Sequence, residues 1–258
     1  MGVLNVTPDS FSDGGQFIEP GAARRQGERL VAEGAALVDV GGESTRPGAE
    51  AVPVAEELKR VIPVIQSLGA LDAILSVDTS KPEVMRLAVQ AGAGMINDVC
   101  ALGQPGALDA AAECGVPVCL MHMQGEPRTM QASPHYDDVV SDVCRFFEAR
   151  LEACERAGIP RDRLILDPGI GFGKTLEHNL QLLRGLPSLT AAFELPLLVG
   201  VSRKSMFQHL LGRELERRLP GTLAAGLMAV RNGAAILRVH DVWEHADALA
   251  VWGAVGAS

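Results

Sequence analysis

The sequence predicts an α/β protein folded as a (β/α)8 barrel (TIM barrel), with residues 1–258 forming a single domain. Short runs rich in Val, Ile and Leu alternate eight times with longer helical patterns, which is typical of βα units around a parallel sheet. The length of 258 residues is close to the roughly 250 residues of such barrels. A polar residue also follows every predicted strand, at the end where barrel enzymes carry their active sites.

Each predicted strand is a short apolar run. The eight runs cover residues 3–6, 37–40, 74–77, 95–97, 116–121, 164–166, 197–201 and 236–239. An open doubly wound sheet could also contain eight such units, but that fold usually has a glycine-rich phosphate turn after its first strand. No such turn follows residues 3–6, so the barrel is favoured.

A helical pattern follows each predicted strand. The helices are expected to begin near Ala22, Val54, Pro82, Gly106, Tyr136, Leu176, Ser205 and Val242. We expect the seventh helical region to be split. The segment Leu219-Pro220-Gly221 places a proline where it favours the first turn of a second helix.

Composition excludes several functional classes. The chain is 47% apolar and can bury a large core, while its net charge of −9 and 4% aromatic content argue against a nucleic-acid-binding surface. It begins without the basic and apolar regions of an export signal and has no run of membrane-spanning length. We therefore expect a soluble, cytoplasmic protein that binds neither nucleic acid nor membrane. The five cysteines form no C-x-x-C pair, so reduced core thiols are favoured over a zinc site.

Three predicted connections are unusually long, at residues 8–21, 41–53 and 122–135. Long loops in a compact domain are usually lids or binding segments. All three follow predicted strands, so they are expected at the same end of the barrel as the strand-end polar residues.

Basic residues are concentrated after the predicted strands of this acidic chain. They are Arg46, Arg203, Lys204, Arg238 and His240. Arg238-Val239-His240 occupies the end of the eighth predicted strand, and barrels commonly bind phosphate after strands 7 and 8. This concentration indicates an anionic ligand such as a phosphate ester. A helix cap or a surface ion pair with Asp241 is the alternative role for the segment.

Two aspartates, Asp78 and Asp167, end apolar strands. A carboxylate at a strand end can be partly desolvated and can accept two parallel N–H bonds, which suits a planar heterocycle with an amidine-like edge. Each could equally be a turn residue or a helix cap, since Thr79-Ser80-Lys81-Pro82 follows the first and Pro168-Gly169 the second.

Three other candidates give weaker signals. Gly173-Lys174-Thr175 imitates the end of a phosphate-binding loop, but Pro168 stands where the leading glycine is required. Lys204 could be a Schiff-base lysine, although nothing near it in the sequence indicates a deprotonated amine, so a hydrogen-bond donor is favoured. His122 and His135 lack metal-ligand spacing, and polar or packing roles are expected for both.

Eight segments spread over nearly the whole chain carry recognisable motifs. They are NVTPDSFSDGG (5–15), GGESTRPG (41–48), VDTSKP (77–82), IND (96–98), MHMQGEPRTMQ (121–131), DPGIGFGK (167–174), GVSRKS (200–205) and RVHDV (238–242). In these segments the sequence resembles the dihydropteroate synthase family of pterin-binding enzymes. The resemblance implies condensation of (7,8-dihydropterin-6-yl)methyl diphosphate with 4-aminobenzoate, which forms 7,8-dihydropteroate and diphosphate for folate biosynthesis. It also implies Mg²⁺ as the cofactor, a homodimer and competition by sulfonamides.

The same resemblance assigns roles to matching residues. For the pterin, Asp167 is expected to accept the 2-amino and N3 hydrogens, Asn97 to meet the N1 side, Asp78 to accept N8–H, and Lys204 to reach O4 and N5. The implied diphosphate residues are Asn5, Thr45, Arg238 and His240, with Asn5 also contacting Mg²⁺. The implied aminobenzoate pocket contains Arg46, Pro47, Phe172 and Ser205, while Phe11 and Asp13 belong to a closing first loop.

The implied mechanism is dissociative and passes through a pterin methylene cation. Family members usually carry a short N-terminal extension before the first strand, so we expect a β-hairpin plug under the barrel to be absent from this sequence. A pterin-dependent methyltransferase is the nearest alternative, although it has no need for the diphosphate residues Arg238 and His240. A non-catalytic paralogue that only binds a pterin or a partner protein is the other, although it would be expected to have lost some of the motif residues.

Overall fold

The structure is a computed structural model that describes residues 1–7, 21–44, 49, 51–125 and 129–256. These residues form eight strands: β1 Gly2–Asn5, β2 Leu37–Gly41, β3 Ile74–Asp78, β4 Met95–Asp98, β5 Val118–Met121, β6 Leu164–Asp167, β7 Leu197–Val199 and β8 Ala234–Leu237. Each strand pairs in parallel with the next one along the chain.

The sheet closes between its first and last strands. Gly2 forms a parallel bridge with Val239, the Val3 N–H donates to the Val239 carbonyl at 3.0 Å, and the Val239 N–H donates to the Met1 carbonyl at 2.9 Å. Eight parallel strands with helices in the connections confirm the predicted (β/α)8 barrel.

The described residues contain nine α-helices. They are α1 Ala22–Ala32, α2 Val54–Leu68, α3 Pro82–Gln90, α4 Ala107–Cys114, α5 Val139–Arg156, α6 Leu176–Phe193, α7 Met206–Leu211, α8 Leu219–Arg231 and α9 Val242–Gly256. The seventh unit is split as predicted, because α8 begins at Leu219 with Pro220 in its first turn. Within the described residues, no helix combines the length and hydropathy needed to cross a membrane.

Several predicted boundaries were wrong for local chemical reasons. The strand predicted at 116–121 begins at Val118, after Pro117, which has no N–H for a ladder bond. The helix expected near Tyr136 begins at Val139, because the Asp138 side chain caps it by accepting the Ser141 N–H at 2.7 Å. The strand predicted at 236–239 is Ala234–Leu237, and this shift leaves Arg238 directly after the strand.

The apolar core has two parts. The larger part lies between the sheet and the helices and contains most of the buried aliphatic side chains. The smaller one fills the barrel interior with Met95, Cys119 and Leu198. The predicted reduced thiols are free, although only Cys119 and Cys154 are fully buried. A filled interior confines any ligand to the mouth of the barrel.

Candidate active site

A row of residues crosses the C-terminal ends of the first four strands. The parallel register pairs Asn5 with Gly41, Gly41 with Asp78, and Asp78 with Asn97. Gly41 lies between the other two side chains, because a Cβ placed on it would contact Asp78 Cβ at 3.5 Å and both Asn5 Oδ1 and Asp78 Oδ2 at 3.7 Å. The sheet therefore brings three predicted site residues, Asn5, Asp78 and Asn97, to one end of the barrel.

A buried ionic network lies directly below this row. Asp39, two residues before Gly41 on β2, is completely buried. Its Oδ2 accepts hydrogen bonds from Arg238 Nε at 2.7 Å and from Asn97 Nδ2 at 3.0 Å. Arg238 Nη2 donates to Asp78 Oδ2 at 2.8 Å. One guanidinium thus joins carboxylates from two neighbouring strands. Asp39 was not among the site residues predicted from the sequence.

The network shifts the protonation equilibria of its members. Burial raises the pKa of Asp78 to about 7, the Asp39 carboxylate acts in the same direction, and Arg238 opposes both. Burial alone would lower the pKa of Arg238, but the adjacent Asp39 and Asp78 carboxylates raise it above its usual value. At neutral pH Arg238 is therefore charged, while Asp78 is divided between carboxyl and carboxylate. A ligand that donates an N–H to Asp78 would favour the carboxylate.

The opposite side of the mouth carries Asp167 and Lys204. Asp167 Oδ1 accepts the Gly169 N–H at 2.7 Å. Burial raises the pKa of Asp167, although this hydrogen bond and the charge of Lys204 act against the rise. Burial lowers the pKa of Lys204 to about 8, with Asp167 opposing it. Lys204 Nζ lies 4.2 Å from the ring centroid of Phe172. The mostly protonated amine is consistent with the expected hydrogen-bond donor.

A second lysine on this side was not predicted to contribute. Lys174 is only 3% exposed, and its Nζ lies 2.9 Å from His122 Nδ1 and 2.9 Å from the Phe172 carbonyl oxygen. His122 therefore has a polar packing contact, in keeping with its expected role. The only sequence signal at Lys174 was its place in a segment that imitates a phosphate loop, and its burial depends on contacts between two separate connections.

The rim beside β8 contains His240. Ser202 Oγ lies 3.1 Å from the His240 N–H nitrogen and 3.0 Å from His240 Nδ1. Desolvation of the ring nitrogens by neighbouring atoms, together with the charges of Arg238 and Arg203, lowers the pKa of His240 below its usual value. The free imidazole is therefore neutral near pH 7. If the Ser202 hydroxyl donates to Nδ1, Nε2 carries the proton and can donate it to an anion.

The surface ion pair considered for this segment forms with a different arginine. Arg203 Nε donates to Asp241 Oδ2 at 3.0 Å. Arg203 also adopts a left-handed backbone conformation with φ 56°. Its N–H donates to Thr222 Oγ1 at 3.1 Å, and its carbonyl accepts from Arg218 Nη1 at 3.1 Å. These bonds anchor the turn that carries Lys204 and the exposed Ser205 to the start of α8.

A cleft of about 850 Å³ opens beside Asp78 and Met121. On its wall Lys81 forms ion pairs with Glu43 and with Glu57. Glu57 is completely buried on α2, so Lys81 ties the start of the β2–α2 connection to the β3–α3 connection. A cleft of this size can hold a small molecule.

Comparison with known proteins agrees with this geometry. The sequence model of a family described as "Pterin binding enzyme" matches residues 1–240. Dihydropteroate synthase of Escherichia coli (strain K12) is 54% identical over 252 residues, which cover 97% of this chain and 89% of the relative. The corresponding enzyme of Haemophilus influenzae (strain KW20 / Rd) is 49% identical over 255 residues, covering 98% and 92%. The chain belongs to the dihydropteroate synthases. These enzymes are transferases that make dihydropteroate, so the predicted family and enzyme class are confirmed.

Solved dihydropteroate synthase structures match the whole chain. The Yersinia pestis enzyme in a sulfonamide drug complex has a TM-score of 0.95 and 52% identity, covering 100% of this chain and 94% of that chain. The Xanthomonas albilineans enzyme in complex with 7,8-dihydropteroate has a TM-score of 0.90 and 55% identity, covering 100% and 93%. Both likenesses agree with the barrel found here.

Some predicted site residues lie outside the part of the chain that the structure describes. They are Phe11, Asp13, Thr45, Arg46 and Pro47. Their roles in the first loop, the diphosphate site and the aminobenzoate pocket stay predictions. Among the described residues, no group of three or more His, Cys, Asp or Glu side chains could hold a metal ion.

Proposed function

We propose that this protein condenses (7,8-dihydropterin-6-yl)methyl diphosphate with 4-aminobenzoate, giving 7,8-dihydropteroate and diphosphate in folate biosynthesis. The observation that carries the proposal is the convergence of two buried carboxylates, Asp78 and Asp167, with Lys204 and Arg238 at one barrel mouth. Membership of the dihydropteroate synthases supports the same reaction.

The pterin binds between the two sides of the mouth. Asp167 accepts the 2-amino and N3 hydrogens, Asn97 meets the N1 side, and Asp78 accepts N8–H. Lys204 donates to O4 and N5. The support for these roles is that the carboxylates have raised pKa values and are nearly enclosed, so charge-assisted hydrogen bonds from the ligand would compensate their desolvation.

The diphosphate binds on the β8 and β1 side through Arg238, His240, Asn5 and Thr45. Two of the five guanidinium N–H donors of Arg238 are used by Asp39 and Asp78, which leaves others for phosphate oxygens. The two carboxylates thus orient the arginine while it binds the anion. His240 starts as a neutral donor, and a bound phosphate would raise its pKa.

Mg²⁺ is the proposed cofactor, held through Asn5 and the diphosphate. The described residues fit this arrangement, because Asn5 ends β1 and offers one amide oxygen at the mouth of the barrel. Mg²⁺ usually keeps several waters and is bound through one or two carboxylates and substrate phosphates, so with an amide as its protein ligand it would depend mainly on the diphosphate. When bound, it would stabilise negative charge on the leaving diphosphate.

The aminobenzoate pocket is proposed to contain Phe172 and Ser205 together with Arg46 and Pro47, with Phe11 and Asp13 on a loop that closes over it. The solved Xanthomonas albilineans relative with 4-aminobenzoic acid, which is 58% identical, supports such a site in this family. Sulfonamides share the aniline ring of the substrate, so we propose that they compete for the same pocket.

The reaction is dissociative. The C–O bond breaks first, its electron pair leaves with the diphosphate, and the positive charge spreads from the methylene carbon into the pterin. The aromatic amine then attacks this carbon, and the resulting anilinium gives its proton to water or to the released diphosphate. Arg238 and His240 act at the end where negative charge develops, whereas Asp78 and Asp167 lie near the developing cation. This division requires no dedicated nucleophile and no strong general base.

Diphosphate release tests the proposal directly. Release should require the pterin diphosphate, 4-aminobenzoate and Mg²⁺ together, and Asp167→Asn should abolish it without unfolding the protein. A second assay should measure the formation of dihydropteroate in the same reactions. Methyl transfer from a pterin, or pterin binding without any release, would instead support the alternative functions and contradict the proposal.

A homodimer in the cytoplasm is the proposed state of the protein. Exposed apolar side chains support the dimer: Met228 on α8, and Trp243, Trp252 and Val255 on α9. Such a face on adjacent helices is typical of an interface. Sedimentation should give a dimer for the natural sequence and a monomer for Trp252→Glu, while a monomeric natural sequence would contradict this part.

A further inference from the structure

Lys174 uses all its donors within the protein. Besides His122 Nδ1 and the Phe172 carbonyl, Nζ lies 3.4 Å from the His122 carbonyl oxygen. Burial, reinforced by the charge of Lys174, lowers the pKa of His122 to about 3, so this histidine is neutral and its Nδ1 can accept. Three acceptors match the three N–H groups of a protonated amine. Burial lowers the pKa of Lys174 to about 7, and the Asp167 carboxylate opposes this shift, so the amine is fully protonated only on the acid side of neutral pH.

These acceptors come from two connections that lie directly against each other. A Cβ placed on Gly169 would lie 1.8 Å from the His122 carbonyl oxygen, and one on Gly173 would lie 2.4 Å from the Gln124 carbonyl oxygen. Tyr136 Oη donates to the Gly173 carbonyl at 2.8 Å, and Gln131 Nε2 donates to the Gly171 carbonyl. The turn at residues 169–173 therefore rests on the β5–α5 connection.

The same turn contacts the proposed ligand site on its other side. Its Gly169 N–H binds the Asp167 carboxylate, and its Phe172 ring lies against Lys204 Nζ. A Cβ placed on Gly171 would lie 3.1 Å from Lys204 Cδ. A displacement of the turn would thus move the Phe172 ring and change the environment of Asp167 together.

We propose that Lys174 is a positioning residue that holds the 169–173 turn against the β5–α5 connection and thereby sets the Phe172 ring and the Asp167 carboxylate. This inference rests on the proposed function, since Phe172 belongs to the aminobenzoate pocket and Asp167 to the pterin site. Lys174 is buried beneath the turn and acts only through these two residues.

The charge of Lys174 provides a second readout below neutral pH, where an amine with a pKa of about 7 is protonated. Asp167 is faced by Lys204, Arg238 and Lys174, all of which lower its pKa. The groups around Lys174 are His122, Asp167, Lys204, Tyr136 and His178. Removing the charge of Lys174 raises the pKa of Asp167, so pterin binding through the carboxylate is lost at a higher pH.

The experiment compares Lys174→Met with Lys59→Met, which removes an exposed lysine of α2. Lys174→Met should raise the KM for 4-aminobenzoate about tenfold, as expected for one lost charge-assisted contact, and change kcat by less than about threefold. Pterin affinity should be measured by calorimetry as a function of pH. The fall in affinity at low pH, here called the acid limb, should occur at a higher pH in Lys174→Met. Asp78 contributes equally to both proteins, so the difference between them reports on Asp167.

Lys59→Met should match the natural protein in every measurement. An unchanged KM and an unmoved acid limb in Lys174→Met would overturn the inference. So would parallel losses of kcat and affinity without a pH shift, because a generally disturbed fold would produce them. If the natural protein releases no diphosphate, the proposed function fails instead, and the two failures are thereby distinguished.

Two milder variants test the same turn if Lys174→Met does not fold. Gln131→Ala removes an exposed side chain that binds the Gly171 carbonyl, and Tyr136→Phe removes only the hydroxyl that binds the Gly173 carbonyl. Each should raise the KM for 4-aminobenzoate by about three- to tenfold, the size of one neutral hydrogen bond. An unchanged KM in both would overturn the inference.

Discussion

The two sides of the barrel mouth hold their buried charges by different means. On the β2–β4 side, Asp39 and Asp78 share Arg238 through side-chain ion pairs, so two carboxylates face one guanidinium. On the β5–β7 side, Lys174 and Lys204 face the single carboxylate of Asp167, and backbone groups of a glycine-rich turn make most of the contacts. The first side should therefore be disturbed most by substitutions that remove a charge. The second side should be disturbed most by substitutions that displace the backbone of the turn.

The largest effect is expected from a backbone change on the second side. Gly169→Ala adds a Cβ at φ 67°, at 1.8 Å from the His122 carbonyl oxygen, so we expect a loss of about 4 kcal/mol or more in the free energy of unfolding. Urea unfolding measures it. Gly253→Ala on α9, where no atom lies within 4 Å of the new Cβ, is the control and should change stability by at most about 1 kcal/mol. Equal stabilities of the two variants would contradict the geometric account.

Substitutions of charged residues should distinguish the residues that bind the pterin from those that bind the diphosphate. Asp167→Ala should abolish binding of a pterin without diphosphate, whereas Arg238→Ala should mainly weaken the diphosphate-bearing substrate. Each lost charge-assisted contact is expected to lower affinity about ten- to a hundredfold. Calorimetry with both ligands makes the comparison, and equal losses for both variants with both ligands would refute the division.

A smaller effect is expected on the pH dependence of pterin affinity, which tests the coupling between Asp78 and Asp39. Because the pKa of Asp78 is raised to about 7, the carboxylate that is proposed to accept N8–H predominates only above that pH. Affinity should fall by up to about tenfold per pH unit below it. Asp39→Asn removes a charge that raises this pKa, so the acid limb should move to lower pH. Calorimetry between pH 5 and 8 checks this, and an unmoved limb would rule out coupling between the two aspartates.

The smallest expected effect is a coupling between ligands bound on the two sides of the mouth. If diphosphate and Mg²⁺ bound near Arg238 help to build the aminobenzoate pocket near Lys204, they should increase sulfonamide affinity several-fold, on the order of 1 kcal/mol. Titration of a sulfonamide with and without diphosphate and Mg²⁺ provides the comparison. The same affinity in both conditions would show that the two sides bind independently.

The sequence predicted the barrel because strand and helix patterns are local, and strand-end residues of a parallel barrel must share one mouth. It therefore identified Asp78, Asn97 and Asp167 as neighbours. It missed Asp39, because a carboxylate inside the run 37–40 is stabilised by Arg238, which lies 199 residues later. Lys174 was missed for a similar reason, since its burial requires contact between two connections whose path no local pattern determines.

The left-handed Arg203 connects the proposed sulfonamide site to residues outside it. This turn presents Lys204 and Ser205 to the proposed aminobenzoate pocket, yet its backbone is anchored by Thr222 and Arg218 at the start of α8. A non-glycine residue in this conformation relaxes when such support is lost. Substitution of Thr222 would then alter the pocket without touching a bound sulfonamide. If sulfonamides bind the proposed pocket, we expect substitutions at the start of α8 to lower their affinity as well as substitutions of the residues that line the pocket.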